Sequence, residues 1–415
     1  MTDLAAAQAR YNDIRGRNLA LDMTRGKPSS AQLDLSDDIL TNVWPEDARD
    51  DDGTDLRNYG GLSGTPKARA LFGDYLGVPA DQVIIGGNSS LQMMHGALAR
   101  AMTFGVPGGA GPWKDQGPTV ICPVPGYDRH FAVCDELGYK MVTVGMTGEG
   151  PDMDAVEALV RDDPSVKAIW CVPKYCNPTG ETYSTETSER LAKMPTAAPD
   201  FRILWDTAYA VHHLGQGLDD VADILDLCTK AGNPERPLIF GSTSKITYSG
   251  AGIAMMAASP VNVKDALDHL FFETIRPDKI SQIRQVKFFQ DLDGIKKHMG
   301  DHANLVAPKF KAVDDALEKH LGGKGIATWT KPRGGYFVSL DVMDGCAIEV
   351  IRLAAEAGVK LTPAGSCFPY GKDPNDRNIR LAPTLPPLDE VKQAMEVVCA
   401  CVLLAVARYN TDDNG

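Results

Sequence analysis

Leu238-Ile239-Phe240-Gly241-Ser242-Thr243-Ser244-Lys245 is an apolar run that stops at a glycine and opens into three hydroxyls and a lysine. A run with no polar residue on either face reads as a strand covered on both sides, the condition of a parallel sheet. Working outward, the same grammar recurs. Ile203-Leu204-Trp205 ends in Asp206, and Trp170-Cys171-Val172 leads to Asn177-Pro178-Thr179-Gly180. Short β-rich runs fall at 83–86, 119–123, 140–144, 167–172, 201–206, 237–241 and 253–258, and helix-length amphipathic segments lie between most of them, at 89–102, 127–137, 184–194 and 263–275. Alternation of this kind predicts βαβ units and an α/β fold built on a mostly parallel, seven-stranded sheet.

The rhythm changes beyond about residue 290, where helices are expected over 281–299 and 302–320, a strand near 335–340, and helices at 347–357 and 388–408. The division expected is an N-terminal arm over 1–50, a large domain over 51–290, and a smaller α+β domain over 291–415 that packs with the arm. The 415 residues carry 42 Lys and Arg against 55 Asp and Glu, a formal charge of −13. That charge argues against a nucleic-acid partner. The longest apolar run, Val397 to Ala407, is too short to span a bilayer, which needs about 18 residues or more. The N-terminus has no apolar h-region, and nine scattered cysteines show no zinc spacing. A cytoplasmic protein with free thiols is expected.

Four polar features sit where ligands bind in open α/β sheets, at strand C-terminal ends. Gly87-Asn88-Ser89-Ser90 opens a helix, where free N–H groups and the dipole favour an anion, although by itself it is an ordinary N-cap. Asn177-Pro178-Thr179-Gly180 alone is a turn. Asp206, before Thr207-Ala208-Tyr209, is costly at the end of a buried strand unless it is paired. Lys245 likewise needs a partner or a covalent adduct. Other motifs fail. Gly241 to Lys245 lacks the glycine before lysine of a P-loop, and no complete G-x-G-x-x-G follows a strand. His298 and His302 have a metal-compatible spacing beside Asp301, but without H-E-x-x-H they read as exposed helical histidines.

In this order and on successive strand ends, the four features resemble the fold-type I pyridoxal-phosphate enzymes of the aspartate aminotransferase superfamily. The resemblance runs from Gly26-Lys27-Pro28 to Arg380. Pro125-Gly126-Tyr127-Asp128-Arg129-His130-Phe131 and Ser242-Thr243-Ser244-Lys245-Ile246-Thr247 look most like the bacterial Ic subgroup, also called MocR-like aminotransferases. The resemblance implies pyridoxal 5′-phosphate as cofactor, joined to Lys245, whose freed amine shuttles a proton. It implies that Asp206 pairs with the pyridine nitrogen and that Asn177 and Tyr209 bond the phenolic oxygen. Tyr127 would stack on the ring. Asn88, Ser89, Ser242 and Ser244 would hold the phosphate, and Tyr59 would reach it across a homodimer interface. Arg380 would grip the substrate α-carboxylate with a planar fork, close to Gly26 of the arm.

Two positions depart from the superfamily pattern or leave it open. Gly252 stands where most members place a phosphate-binding arginine. The cation that reads a second carboxylate is not singled out among Arg25, Lys27, Arg129, Arg276 and Lys279, the last two of which could come from a partner subunit. The activity implied is transfer of the amino group of L-aspartate to 2-oxoglutarate. An aromatic or alanine aminotransferase is the alternative within the superfamily. A MocR-type regulator would need a DNA-binding domain ahead of a pattern that here begins within the first 30 residues. A nicotinamide dehydrogenase would need the missing glycine fingerprint.

Overall fold

A computed structural model describes residues 3–215 and 218–412. The central sheet contains β1 (Val83–Ile85), β2 (Thr119–Val124), β3 (Lys140–Gly145), β4 (Val166–Cys171), β5 (Arg202–Asp206), β6 (Pro237–Ser242) and β7 (Ala254–Ala258). Their spatial order is β1-β7-β6-β5-β4-β2-β3. The strands from β2 to β6 are parallel, and β7 runs antiparallel to both β1 and β6.

Each central strand serves two cores, because successive side chains leave a strand on opposite faces. Ile203, Trp205 and Ile239 join one buried cluster, whereas Leu204, Leu238 and Phe240 join the other. The continuous apolar runs in the sequence are therefore two alternating sets superimposed. Because β2, β4, β5 and β6 point the same way, the loops before Tyr127, Asn177, Tyr209 and Lys245 open on one edge of the sheet.

A third core gathers Ala7, Tyr11, Ile14 and Met23 of the arm with the end of a long helix, a three-stranded sheet and the last helix. That sheet consists of Ala327–Trp329, Val338–Val342 and Asn378–Leu381. The last helix, Leu388–Asp412, buries every residue from Val397 to Ala407. A helix that is apolar all round needs such complete cover. No helix among the described residues is long and apolar enough to cross a membrane.

The two helices expected at 281–299 and 302–320 divide elsewhere, into Lys279–Phe289 and Leu292–Leu321. Gln290 takes a left-handed φ of 66°, which ends the first helix, and Asp291 accepts from the Gly294 N–H to start the second. The second helix spans both parts of the molecule. Ile295 and Met299 pack into the sheet core, and Val306 to Leu321 into the third core. His298 lies beside Met299 in the first stretch and His302 between the two, and both are buried, contrary to the expectation that they face solvent.

Candidate active site

The open edge of the sheet holds a cavity of 840 Å³ lined by Tyr127, Asn177, Tyr209, Ser244, Lys245 and Arg380, and by Thr24 to Pro28 of the arm. It brings together ten of the residues singled out from sequence, counting Arg25, Gly26, Lys27 and Arg129.

Lys245 lies on the single turn that follows β6. Its amine is 4.9 Å from the centre of the Tyr209 ring. Burial lowers the pKa of this amine below that of an ordinary lysine, and the charge of Asp206 partly opposes the shift. Burial pushes the Tyr127 phenol up to about 12 and holds the Tyr209 phenol well above its ordinary value.

Asp206 ends β5, fully enclosed, and its Oδ1 accepts from the Ala208 N–H at 3.1 Å. Its Oδ2 lies 3.0 Å from His130 Nε2, the buried partner that an aspartate in this position needs. The His130 ring is stacked on Trp170 at 4.0 Å with an interplanar angle of 4°, and Tyr127 meets its edge. Neither His130 nor Trp170 was singled out from the sequence. The signal was present in the spacing, since His130 follows Tyr127 by three residues in the first turn of helix Asp128–Glu136.

Arg380, on the edge strand Asn378–Leu381, is buried. One of its terminal nitrogens donates to Asp128 at 2.9 Å and to Asn177 Oδ1 at 3.4 Å. Its guanidinium lies 5.0 Å from the Phe337 ring centre. Its Nε has no hydrogen-bond partner among the protein atoms. The guanidinium lines the cavity, and its planar fork is matched to an incoming carboxylate. Gly26 passes so close to Phe337 that a Cβ would meet the ring at 2.4 Å, so the arm requires glycine there.

The corner expected to take an anion is assembled from the loops that follow β1 and β6. Ser89 caps helix Ser90–Phe104 by accepting from Gln92 N. The Ser244 hydroxyl donates to the Asn88 carbonyl at 3.0 Å, and the Asn88 amide donates to the carbonyls of Ser249 and Gly250. The Asn88 side chain therefore ties two loops together. Of these residues only Ser244 and Ser249 line the cavity, and Asn88, Ser89 and Ser242 stand behind it. At Gly252 a Cβ would lie 2.5 Å from Thr243 Oγ1 and 2.7 Å from the Tyr248 carbonyl, which leaves no room for an arginine.

Tyr59 is apart from the cavity, 68% exposed, with the Arg276 guanidinium 4.9 Å from its ring. Lys279 donates to the carbonyls of Asn58 and Gly60 at 2.7 and 2.8 Å. Arg276 and Lys279 thus hold the Tyr59 loop and do not line this chain's cavity. Arg25, Lys27 and Arg129 do.

A sheet of this strand order, a lysine after β6 and an aspartate at the end of β5 paired with a buried histidine define a fold-type I aminotransferase. A Thermus thermophilus α-aminoadipate aminotransferase, complexed with N-(5′-phosphopyridoxyl)-L-leucine, has this fold. It superposes with a TM-score of 0.77 at 19% identity, over 97% of this chain and 98% of that one. The model of the aspartate amino-transferase family matches residues 1–414, and the chain belongs to that family. An aspartate aminotransferase of Corynebacterium glutamicum is 47% identical over 401 residues, 96% of this chain and 93% of the relative. A crystal structure of an aspartate transaminase from the same organism has a TM-score of 0.96 at 46% identity, covering 98% of this chain and 96% of that one.

Proposed function

We propose that the protein binds pyridoxal 5′-phosphate through Lys245 and transfers the amino group of L-aspartate to 2-oxoglutarate. The observation that supports this best is a buried Arg380 lining the same cavity as a buried lysine of lowered pKa. When bound, the cofactor supplies an electron-withdrawing ring that lets a bond at the amino-acid Cα break heterolytically.

The residues of the chain divide the remaining work. Asp206, held by His130, would face the pyridine nitrogen and keep it protonated. Asn177 and Tyr209 would bond the phenolic oxygen, and Tyr127 would cover the ring. Ser89, Ser242 and Ser244, at the end of a helix whose dipole favours anions, would take the phosphate together with Asn88. Lys245 Nζ takes the proton from the substrate Cα, a task that needs a neutral amine, and burial favours that form. Arg380 orients the substrate through its α-carboxylate, and Gly26 leaves the arm close enough to close over it. The distal carboxylate is read by one of Arg25, Lys27 and Arg129. None of the three forms a salt bridge among the described residues, so each is available to a ligand.

The cofactor site is completed in a homodimer, with Tyr59 reaching the partner's phosphate. Exposed Phe271, Phe272 and Ile275 lie near the Arg276 that holds the Tyr59 loop, and they support a covered face there. Nine buried free cysteines support a reducing, cytoplasmic setting. Two separate cores, one drawn from 68–299 and the other joining 7–23 to 306–407, support a division into a large and a small part, with the second boundary nearer residue 300 than 290.

The test is a visible spectrum of the purified protein with added cofactor. A yellow band that bleaches with L-aspartate alone and returns with 2-oxoglutarate is the expected result. A yellow protein indifferent to aspartate moves the donor to another amino acid. A protein that takes up no cofactor overturns the assignment of Lys245.

A further inference from the structure

Lys245 and Ile246 sit on a one-turn stump. Thr247 N–H bonds back to the Thr243 carbonyl, and no helix follows to supply donors to the next two carbonyls. Such orphan acceptors need partners when buried. Here side chains from distant parts of the chain take them. Tyr336 OH and His212 Nε2 both reach the Lys245 carbonyl at 3.2 Å. His298 Nε2 reaches the Ile246 carbonyl at 2.8 Å.

The proton positions follow from the partners. Gln32 Oε1 accepts from Ser29 N–H at 3.0 Å, so its amide nitrogen points the other way. That nitrogen donates to Tyr336 OH and to His302 Nδ1, each at 3.1 Å. His302 Nδ1 is therefore an acceptor, and its ring proton sits on Nε2, 3.1 Å from His298 Nε2. Two imidazole N–H groups thus converge on the Ile246 carbonyl, which has two lone pairs to offer. His302 must be neutral for this pattern, because its Nδ1 accepts. Burial lowers both pKa values, that of His302 to about 3.

Gln32 belongs to the short helix Ser30–Asp34, next to the arm residues Thr24 to Pro28 that line the cavity. Seating the arm and fixing the lysine backbone therefore draw on one hydrogen-bonded set. We propose that Gln32, His302, His298 and Tyr336 are positioning residues that register the Lys245 backbone against the seated N-terminal arm. None of them needs to touch substrate. Their effect is on where the Lys245 amine swings from.

This rests on Lys245 as the cofactor lysine, and the test separates the two ideas. The holoenzymes of three variants are compared with the wild type by visible circular dichroism of the bound cofactor and by kcat and KM. His302→Phe removes both bonds. His302→Gln places an amide N–H near the Nε2 position and can still reach the Ile246 carbonyl. His302→Asn can still accept from Gln32 and cannot reach that carbonyl. Misplacement of a reacting group by about 1 Å costs on the order of 100-fold, so kcat of His302→Phe should fall about 10- to 100-fold with KM changed less than about 3-fold. Its cofactor ellipticity per unit absorbance should change. His302→Gln should recover most of both signals, and His302→Asn should not. Unchanged ellipticity and kcat in His302→Phe, or a His302→Gln no better than His302→Asn, overturns the proposal. The second comparison stands even if the phenylalanine variant does not fold. A wild type with no visible band would instead refute Lys245 as the cofactor lysine.

Discussion

The glycine at 252 tests whether the missing arginine is a loss or a different solution. In Gly252→Ala the new methyl would lie 2.5 Å from Thr243 Oγ1 and 2.7 Å from the Tyr248 carbonyl. Thr243 has nowhere to go. Its Oγ1 accepts from Ile253 N–H at 3.0 Å, its own N–H donates to the Ile253 carbonyl at 2.8 Å, and its carbonyl takes the N–H groups of Ile246 and Thr247 at 3.0 and 2.8 Å. Overpacking of a buried site costs about 1–3 kcal/mol. Breaking the Thr243–Ile253 side-chain bond leaves a buried donor unpaired, for about 1–3 kcal/mol more. The predicted destabilisation is therefore ~2–5 kcal/mol, since neighbouring effects of this kind overlap. It is read as the shift in urea unfolding of the cofactor-free protein. Thr243→Ala should relieve the clash, so the double variant should lose less than the sum of the single ones. Gly252→Arg should fare worse than alanine and bind no more cofactor. An alanine variant within about 0.5 kcal/mol of wild type, the range of an innocuous surface change, refutes the packing argument. An arginine variant with tighter cofactor binding shows that the site had merely lost its cation.

Four further outcomes are expected. Arg380→Ala removes a charge-assisted carboxylate grip worth about 1.5–3 kcal/mol and should lower kcat/KM about 10- to 150-fold, with Arg380→Lys recovering part of it, both read by steady-state kinetics. Among Arg25→Ala, Lys27→Ala and Arg129→Ala, one should raise KM for aspartate far more than for alanine; three variants that treat both substrates alike would exclude these cations as the distal reader. His130→Phe keeps the stack on Trp170 but leaves Asp206 with only the Ala208 N–H, and cofactor affinity measured by fluorescence titration should fall. Finally, the folded-state pKa of Lys245 lies below its unfolded value of 10.5, so the unfolded chain binds the extra proton between the two, and stability rises with pH through that window. The cofactor-free Lys245→Met variant should therefore be more stable than wild type at neutral pH, and the gap in unfolding free energy should close as pH approaches 10.5.

The sheet was legible because its strands, buried on both faces, carry uninterrupted apolar runs such as 168–171 and 203–205. All seven strands lie within a residue or two of the apolar runs. The charged residues at their ends were legible for a related reason, since Asp206 and Lys245 are groups that no buried strand end keeps without a task. What pairs with them was not legible. His130 is 76 residues from Asp206, and only the parallel order of β2, β4 and β5 brings the two together. The break at Gln290 was hidden because a left-handed turn there uses neither glycine nor proline.

The misreading of His298 and His302 has the most instructive cause. Helical periodicity assigns a face relative to one partner, and a helix with one partner has a solvent side. Leu292–Leu321 has two partners, the sheet core at its start and the third core at its end, with the N-terminal arm lying against it between them. The face that periodicity leaves for solvent is the one the arm covers. Polar residues there are free to be selected for what they bond. They bond the backbone beside Lys245. In such a chain, histidines at helical spacing and midway between two cores are a signal of connection between the parts. Reading that signal requires knowing where the helix passes from one core to the other, information that lies in tertiary structure and not in any local window of sequence.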